Sequence, residues 1–168
     1  VIDTNTSDVI DAFESDAKKA LVTNDKNKIT LVYTTCYGYT AEMAEYIEKK
    51  LKENGKEVDS YSIDALDYAE KKDEILASIQ SSSMVLFGSP TIINDAVPYF
   101  YEILLSQPNT FFANKKFSAF GDYGWSGEAV MNLSSFAQMR KMKVIEGYRY
   151  SFKLDSKCFE EMDEYVSR

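Results

Sequence analysis

Residues 28–40 read Lys-Ile-Thr-Leu-Val-Tyr-Thr-Thr-Cys-Tyr-Gly-Tyr-Thr. The apolar run Ile29 to Tyr33 predicts a strand, and the turn that follows, Thr34 to Thr40, opens directly into an amphipathic pattern. Such a turn gathers backbone N–H groups and hydroxyls at the positive end of a helix dipole, which suits a phosphate. It contains no Lys or Arg and fits neither Gly-x-x-x-x-Gly-Lys nor Gly-x-Gly-x-x-Gly. A nucleotide-hydrolysing loop and a Rossmann-type dinucleotide site are therefore not indicated. Thr34, Thr35, Tyr37 and Thr40 offer hydroxyls in place of a cation. Read alone, the stretch is equally an ordinary capped turn.

Outward from this turn, strands and helices alternate. A helix is expected from Ala41 to Asn54, with Ala44, Ile47 and Leu51 inward, Thr40 as its N-cap and Gly55 as its stop. Val58–Ile63 reads as a strand and Leu66–Gln80 as a helix. Met84 to Gly88 is a continuous apolar run, as in a strand buried on both faces. Helices follow at Pro98–Leu105, Glu128–Lys141 and Cys158–Val166, with a strand at Phe117–Phe120 between the first two. Val144–Leu154 holds a fifth strand, whose alternation of Tyr148, Tyr150, Phe152 and Leu154 predicts a sheet edge. This order implies an α/β fold with a parallel sheet covered on both faces. Ligands of such sheets bind outside the carboxyl ends of the strands, at the switch point of the winding. Upstream, Ile10, Phe13, Ala17 and Leu21 recur at helical spacing among acidic residues, and Thr23–Lys28 reads as a linker. The expected division is therefore an N-terminal helix and linker over 1–27 and one folded domain over 28–168.

Composition narrows the function. The chain has 168 residues, 45% hydrophobic, and a net charge of −8. That balance argues against a nucleic-acid partner. No apolar run approaches the ~18 residues of a membrane span. The start, Val1-Ile2-Asp3-Thr4, has neither an initiator Met nor a signal-peptide pattern, so the chain reads as an excised domain. Two cysteines, Cys36 and Cys158, are too few for a disulfide framework and suit a reducing cytoplasm. There is no histidine, which excludes His-based triads and most zinc or non-haem iron sites within this chain. No metal site is expected, and difficult chemistry must come from a cofactor or another domain.

Two further strand-end loops carry unusual residues. Gly88-Ser89-Pro90-Thr91-Ile92-Ile93-Asn94-Asp95 is stiffened by Pro90, and its Asn94 tolerates a left-handed backbone. Gly121-Asp122-Tyr123-Gly124-Trp125-Ser126-Gly127 has three glycines that would let a planar ligand approach the backbone, and Tyr123 and Trp125 for stacking.

Taken together, Thr-Thr-Cys-Tyr-Gly-Tyr-Thr-Ala-Glu-Met-Ala (34–44), Gly-Ser-Pro-Thr-Ile-Ile-Asn-Asp (88–95) and Phe-Gly-Asp-Tyr-Gly-Trp-Ser-Gly-Glu-Ala-Val (120–130) resemble flavodoxins. The likeness is strongest to the flavodoxin domain of flavodiiron proteins. It covers about residues 28–155, with the motifs in family order and spacing. It implies a flavodoxin-like three-layer sandwich with a five-stranded parallel sheet, of the short-chain form, and FMN as cofactor. Thr35, Cys36, Tyr37, Gly38, Tyr39 and Thr40 would then bind the FMN phosphate. Ser89, Pro90, Thr91, Ile92, Ile93 and Asn94 would line one side of the isoalloxazine ring, and Gly121, Asp122, Tyr123, Gly124, Trp125 and Gly127 the other. Tyr39, Ile93 and Asp122 depart from the family's usual small hydroxyl, Asn and Ser.

The function so implied is an electron-transfer domain that shuttles electrons through the flavin semiquinone and hydroquinone. It would be a module of a larger oxidoreductase, with redox partner proteins or a covalently linked redox domain and no membrane partner. The family's diiron site lies in a separate His-rich domain. Alternatives are an FMN-dependent quinone or NAD(P)H reductase, and a flavodoxin-fold binding module that has lost FMN. Asp122 and Asp95 are expected to disfavour an anionic reduced flavin, and the Ile93–Asn94 peptide to reorient on reduction. The helix N-terminus beside Cys36 would favour a lower thiol pKa and allow a redox-sensor role, but a packing role is the preferred reading of Cys36. Cys158 reads as a core residue.

Overall fold

A computed structural model describes residues 25–167. Residues 1–24, which include the expected N-terminal helix, lie outside the described residues. The elements are β1 (Asp25–Tyr33), α1 (Tyr39–Glu53), β2 (Glu57–Ser62), α2 (Tyr68–Ser81), β3 (Ser82–Gly88), α3 (Pro98–Leu105), α4 (Asn109–Phe112), β4 (Lys116–Tyr123), α5 (Glu128–Met139), β5 (Lys143–Val144), β6 (Tyr148–Ser151) and α6 (Ser156–Ser167). All strand pairs are parallel, in the order β2-β1-β3-β4-β5, with β6 continuing on the β4 edge beyond β5. The sheet is thus five strands wide, with helices on both faces. The winding reverses between β1 and β3, whose register pairs Leu31 with Leu86 and Val32 with Phe87.

The period of two in β1 and β3 divides the core. Leu31 and Leu86 face a cluster with Met43, Ile47, Phe120, Tyr150 and Met162, beneath α1 and α6. Val32, Val85 and Phe87 face the opposite cluster, with Ile75, Phe100, Ile103 and Leu133, beneath α2, α3 and α5. Both faces are needed to bury these strands, which is why they read as continuous apolar runs.

Helix ends follow local chemistry. α1 stops in a Schellman motif: Gly55 takes φ 77°, Lys56 N–H donates to Leu51 O at 3.0 Å, and Gly55 N–H to Lys52 O at 3.0 Å. α3 starts at Pro98 after the extended Val97, as its first-turn proline dictates. Several expectations shift. β1 begins at Asp25, so residues 25–28, read as linker, extend the strand. The fifth strand is broken in two, because the chain leaves the ladder at Ile145–Gly147, where the Ser118 hydroxyl donates to the Ile145 and Glu146 carbonyls, each at 3.2 Å. Thr40 is not the N-cap of α1. Gly38 is, with φ 91° and no side-chain cap, and Thr40 lies inside the first turn. Among the described residues no helix is long and apolar enough to cross a membrane.

Candidate functional site

The three loops meet at the carboxyl ends of β1, β3 and β4, tied edge to edge by backbone bonds. Thr34 N–H donates to Gly88 O at 3.0 Å, Ser89 N–H to Phe120 O at 3.0 Å, and Thr91 N–H to Asp122 O at 2.9 Å. The second and third loops approach so closely that a Cβ on Gly121 would lie 1.8 Å from the Ser89 carbonyl oxygen.

In the first loop the Thr35 hydroxyl accepts from Gly38 N–H at 2.9 Å, which folds the turn back on itself. The first bond of α1 runs from Glu42 N–H to Gly38 O at 2.9 Å. The N–H groups of Tyr39, Thr40 and Ala41 therefore precede the helical ladder and find no acceptor among the described residues. Cys36, Tyr37 and Gly38 are exposed around them. These orphan donors at a positive helix end fit a phosphate.

Tyr39, the unusual residue of this turn, has a structural role. Its carbonyl accepts from the Tyr150 hydroxyl at 3.1 Å, and its ring packs at 6.4 Å from Phe152. Burial raises the Tyr150 phenol pKa, with the Asp122 charge adding to it. The Cys36 thiol is also raised, first by partial desolvation and then by Asp122, which reverses the direction expected from the helix terminus. Cys158 is half-buried against the α1–α6 core, as expected.

Asp122 is 4% exposed and accepts from the Thr40 hydroxyl. Its carboxylate thus sits at the first turn of α1, beside the orphan N–H groups of the first loop. Asp95 is also committed: it accepts from the Tyr101 hydroxyl, from Asn132 Nδ2 at 3.0 Å and from Ala96 N–H at 2.7 Å. Burial alone would raise the Asp95 pKa, but the bonds from Tyr101, Asn132 and Ala96 hold it below the usual carboxylate range.

In the second loop, Ser89 and Pro90 are buried. The Ser89 hydroxyl donates to Pro90 O at 2.9 Å and accepts from Val97 N–H at 3.1 Å. The loop tip is a two-residue turn closed by both backbone bonds between Ile92 and Asp95, at 2.8 and 3.1 Å. Ile93 and Asn94 both have positive φ, 51° and 62°, as a type I′ turn requires. Thr91 Oγ1 accepts from Ala129 N–H at 3.4 Å, joining this loop to α5.

The loops carry three strongly exposed apolar side chains: Trp125 is 97% exposed, Ile93 93% and Tyr37 77%. Apolar surface held out on rigid strand-end loops fits a flat aromatic ligand. The glycines of the third loop work differently from expectation. A Cβ on Gly124 would meet the Phe152 ring at 2.1 Å, and one on Gly127 would meet Arg149 and Tyr123 at 2.9 Å, so they make room for the protein's own side chains.

Two site residues escape the sequence reading. Phe152 joins Tyr37 and Tyr39, with centroid distances of 6.4 Å to each. Its only signal was the alternation used for the edge strand. Glu128, at the first turn of α5, has a buried carboxylate oxygen with no hydrogen-bond partner among the described residues.

Comparison with known proteins agrees with this geometry. The family model described as Flavodoxin matches residues 31–167. The "Putative diflavin flavoprotein A 6" of Nostoc sp. is 33% identical over 124 residues, 74% of this chain and 20% of that protein. The "Anaerobic nitric oxide reductase flavorubredoxin" of Escherichia coli is 34% identical over 114 residues, 67% of this chain and 23% of that protein. The chain thus spans about a fifth of the length of these curated relatives. Among solved structures, rubredoxin oxygen:oxidoreductase from Desulfovibrio gigas superposes with a TM-score of 0.78 at 21% identity, covering 89% of this chain and 36% of that one. A flavodoxin from the domain Archaea gives 0.67 at 24% identity, over 84% of this chain and 99% of the other. The family match takes in all three strand-end loops and both helical layers, and the chain belongs to the flavodoxin family, whose cofactor is FMN.

Proposed function

We propose that this chain is the FMN-carrying electron-transfer domain of a larger, flavodiiron-type oxidoreductase that works in the cytoplasm. The observation that carries the reading is the cradle at 35–41. It offers uncommitted N–H groups at a helix start, while exposed Trp125, Tyr37 and Ile93 stand on the loops beside it. The relatives support the larger assembly, since this chain aligns with only 20 to 23% of the diflavin flavoprotein and the flavorubredoxin. The free thiols Cys36 and Cys158 are consistent with a reducing compartment.

Bound FMN supplies one- and two-electron chemistry that no side chain here can supply. The protein's part is to hold and orient it. The N–H groups of Tyr39, Thr40 and Ala41 would hold the phosphate. The 89–94 and 121–127 loops would flank the ring, with Trp125 as an exposed aromatic face at the entrance. A neighbouring redox domain would exchange electrons at that exposed edge. Titration of purified apo chain with FMN tests the reading. Stoichiometric binding, with transfer to the relatives' kind of linked redox domain and no steady-state turnover of NAD(P)H or quinone by the chain alone, is expected. A chain that does not bind FMN overturns it. NAD(P)H or quinone turnover by the isolated chain would replace it with the reductase reading.

A further inference from the structure

At the end of the sheet opposite the FMN loops, a groove of 640 Å³ opens between α1, α6 and the sheet face beneath them. It lies over the first residues of the strands, where Ile29 pairs in register with Met84 and Met84 with Lys116. Its floor is apolar, with Met84 and Leu86 from β3 and Leu51 from α1. Four lysines, Lys26, Lys56, Lys116 and Lys143, line it as well. None of the four is ion-paired to a carboxylate among the described residues. An apolar floor beside unpaired ammonium groups is complementary to an occupant with an apolar stripe and acidic flanks.

The chain itself carries such a segment. Residues 7–21 place Ile10, Phe13, Ala17 and Leu21 at helical spacing, with Asp8, Asp11, Glu14 and Asp16 along residues 8–16 and Lys18 and Lys19 after them, so the segment is acidic in its first two thirds. This segment lies outside the described residues. Only Val22, Thr23 and Asn24 separate Leu21 from Asp25, the first residue of β1. Four residue steps reach at most about 14 Å, so Leu21 stays near the start of β1. Lys26, one residue further, already lines the groove. A tether this short holds its segment at an effective concentration on the order of millimolar, so even a weak contact is populated.

We propose that residues 7–21 dock into this groove as an amphipathic helix, apolar stripe on the Met84–Leu86 floor and acidic side chains among the four lysines. The occupant is in cis, and the contact is independent of FMN, since the groove and the cofactor loops lie at opposite ends of the sheet.

Methyl NMR of the full chain labelled at methionine tests this, with Met84 assigned through Met84→Leu. Phe13→Leu removes an aromatic ring from the proposed contact without touching the described fold. The Met84 methyl resonance is expected to shift in Phe13→Leu, by the same amount at every dilution. An unmoved resonance leaves the groove to a separate partner and overturns the proposal. A shift that disappears on dilution, together with a dimer in sedimentation, assigns the groove to a second copy and overturns docking in cis. Lys116→Glu combined with Lys143→Glu is expected to release the segment, read as faster amide exchange over 7–21. Unchanged exchange there overturns the electrostatic half of the contact.

Discussion

Asp122 brings a buried carboxylate to a positive dipole end, the first turn of α1. The loop has no Lys or Arg to offset it. Its charge reaches the cradle, where it adds to the burial that raises the Cys36 thiol and the Tyr150 phenol. A phosphate there meets a like charge. At about 7 Å and an effective dielectric near 20, each pair of unit charges costs about 2.4 kcal/mol, less where solvent screens the open face. Asp122→Ser is therefore expected to tighten FMN binding about tenfold or more, while riboflavin, which lacks the phosphate, binds as before; a factor of ten corresponds to about 1.4 kcal/mol. Parallel titrations of the apo chain with both ligands check this, and equal gains for the two would place the effect at the ring. Ile93 is the other departure with a physical cost. A β-branched residue at φ 51° is strained, and a left-handed backbone costs a non-glycine residue roughly 1–2 kcal/mol. Ile93→Gly relieves the strain but loosens the unfolded chain, so the expected gain is about 1 kcal/mol or less, a rise in Tm of about 2–4 °C in a scanning melt.

At the scale of elements, a polar seam joins β1, β2, β3 and α2. Lys28 lies 2.9 Å from Asp59, Asp59 accepts from the Ser78 hydroxyl at 2.6 Å, and Thr30 bonds to Ser78 and Ser82 at 2.7 and 2.6 Å. Burial alone would raise the Asp59 pKa, but Ser78 and Lys28 outweigh it and hold the carboxyl below its usual value. A depressed carboxyl stabilises the fold above its unfolded pKa, about 3.9, and that contribution is lost as pH falls through the folded value. Lys28, raised chiefly by its hydrogen bond to Asp59, adds stability that persists below its unfolded pKa and fades only as pH rises through the folded one. Asp59→Asn is expected to lower stability by about 1–2 kcal/mol at pH 7, partial exposure keeping the figure modest, and to cost nothing once acid has protonated the wild-type carboxyl. Melts across pH 2–7 check it, with the two Tm curves converging at the acid end. This seam was not legible in the sequence, since Thr30 and Ser82 are far apart in the chain and carry no pattern. The elements themselves were legible wherever one local rule governed them: Pro98 opened α3 as read, and Gly55 ended α1. The break in the fifth strand was not, because it depends on Ser118 across the ladder. The turn from strand to helix was readable from Thr34–Thr40, but the contact between Thr40 and Asp122 was not, because no local periodicity couples residues so distant in sequence.

At the scale of the whole molecule, the two halves of the core form without the cofactor loops. The large side chains that fill them, from Met43 and Phe120 on one face to Phe87 and Phe100 on the other, come from strands, helices and, for Ile63 and Met142, other connecting segments, and none comes from 34–38, 89–95 or 124–127. The apo chain is therefore expected to fold cooperatively, with FMN adding stability by linkage. At a free FMN concentration of about 100 times Kd the gain is about 2.7 kcal/mol. For a chain of 168 residues, at about 2–4 °C per kcal/mol, that is a rise in Tm of about 5–11 °C. The same linkage predicts where the rise originates. Amide exchange should slow at 35–41, where the orphan N–H groups gain an acceptor, and in the two ring loops, while exchange from β1, β3 and β4 follows only the global change. Calorimetry of apo and FMN-loaded chain, paired with hydrogen exchange by mass spectrometry, measures both. Slowing spread evenly over the sheet would mean that FMN completes the core rather than occupying a preformed site. An unchanged Tm at saturating FMN would remove the cradle from its role.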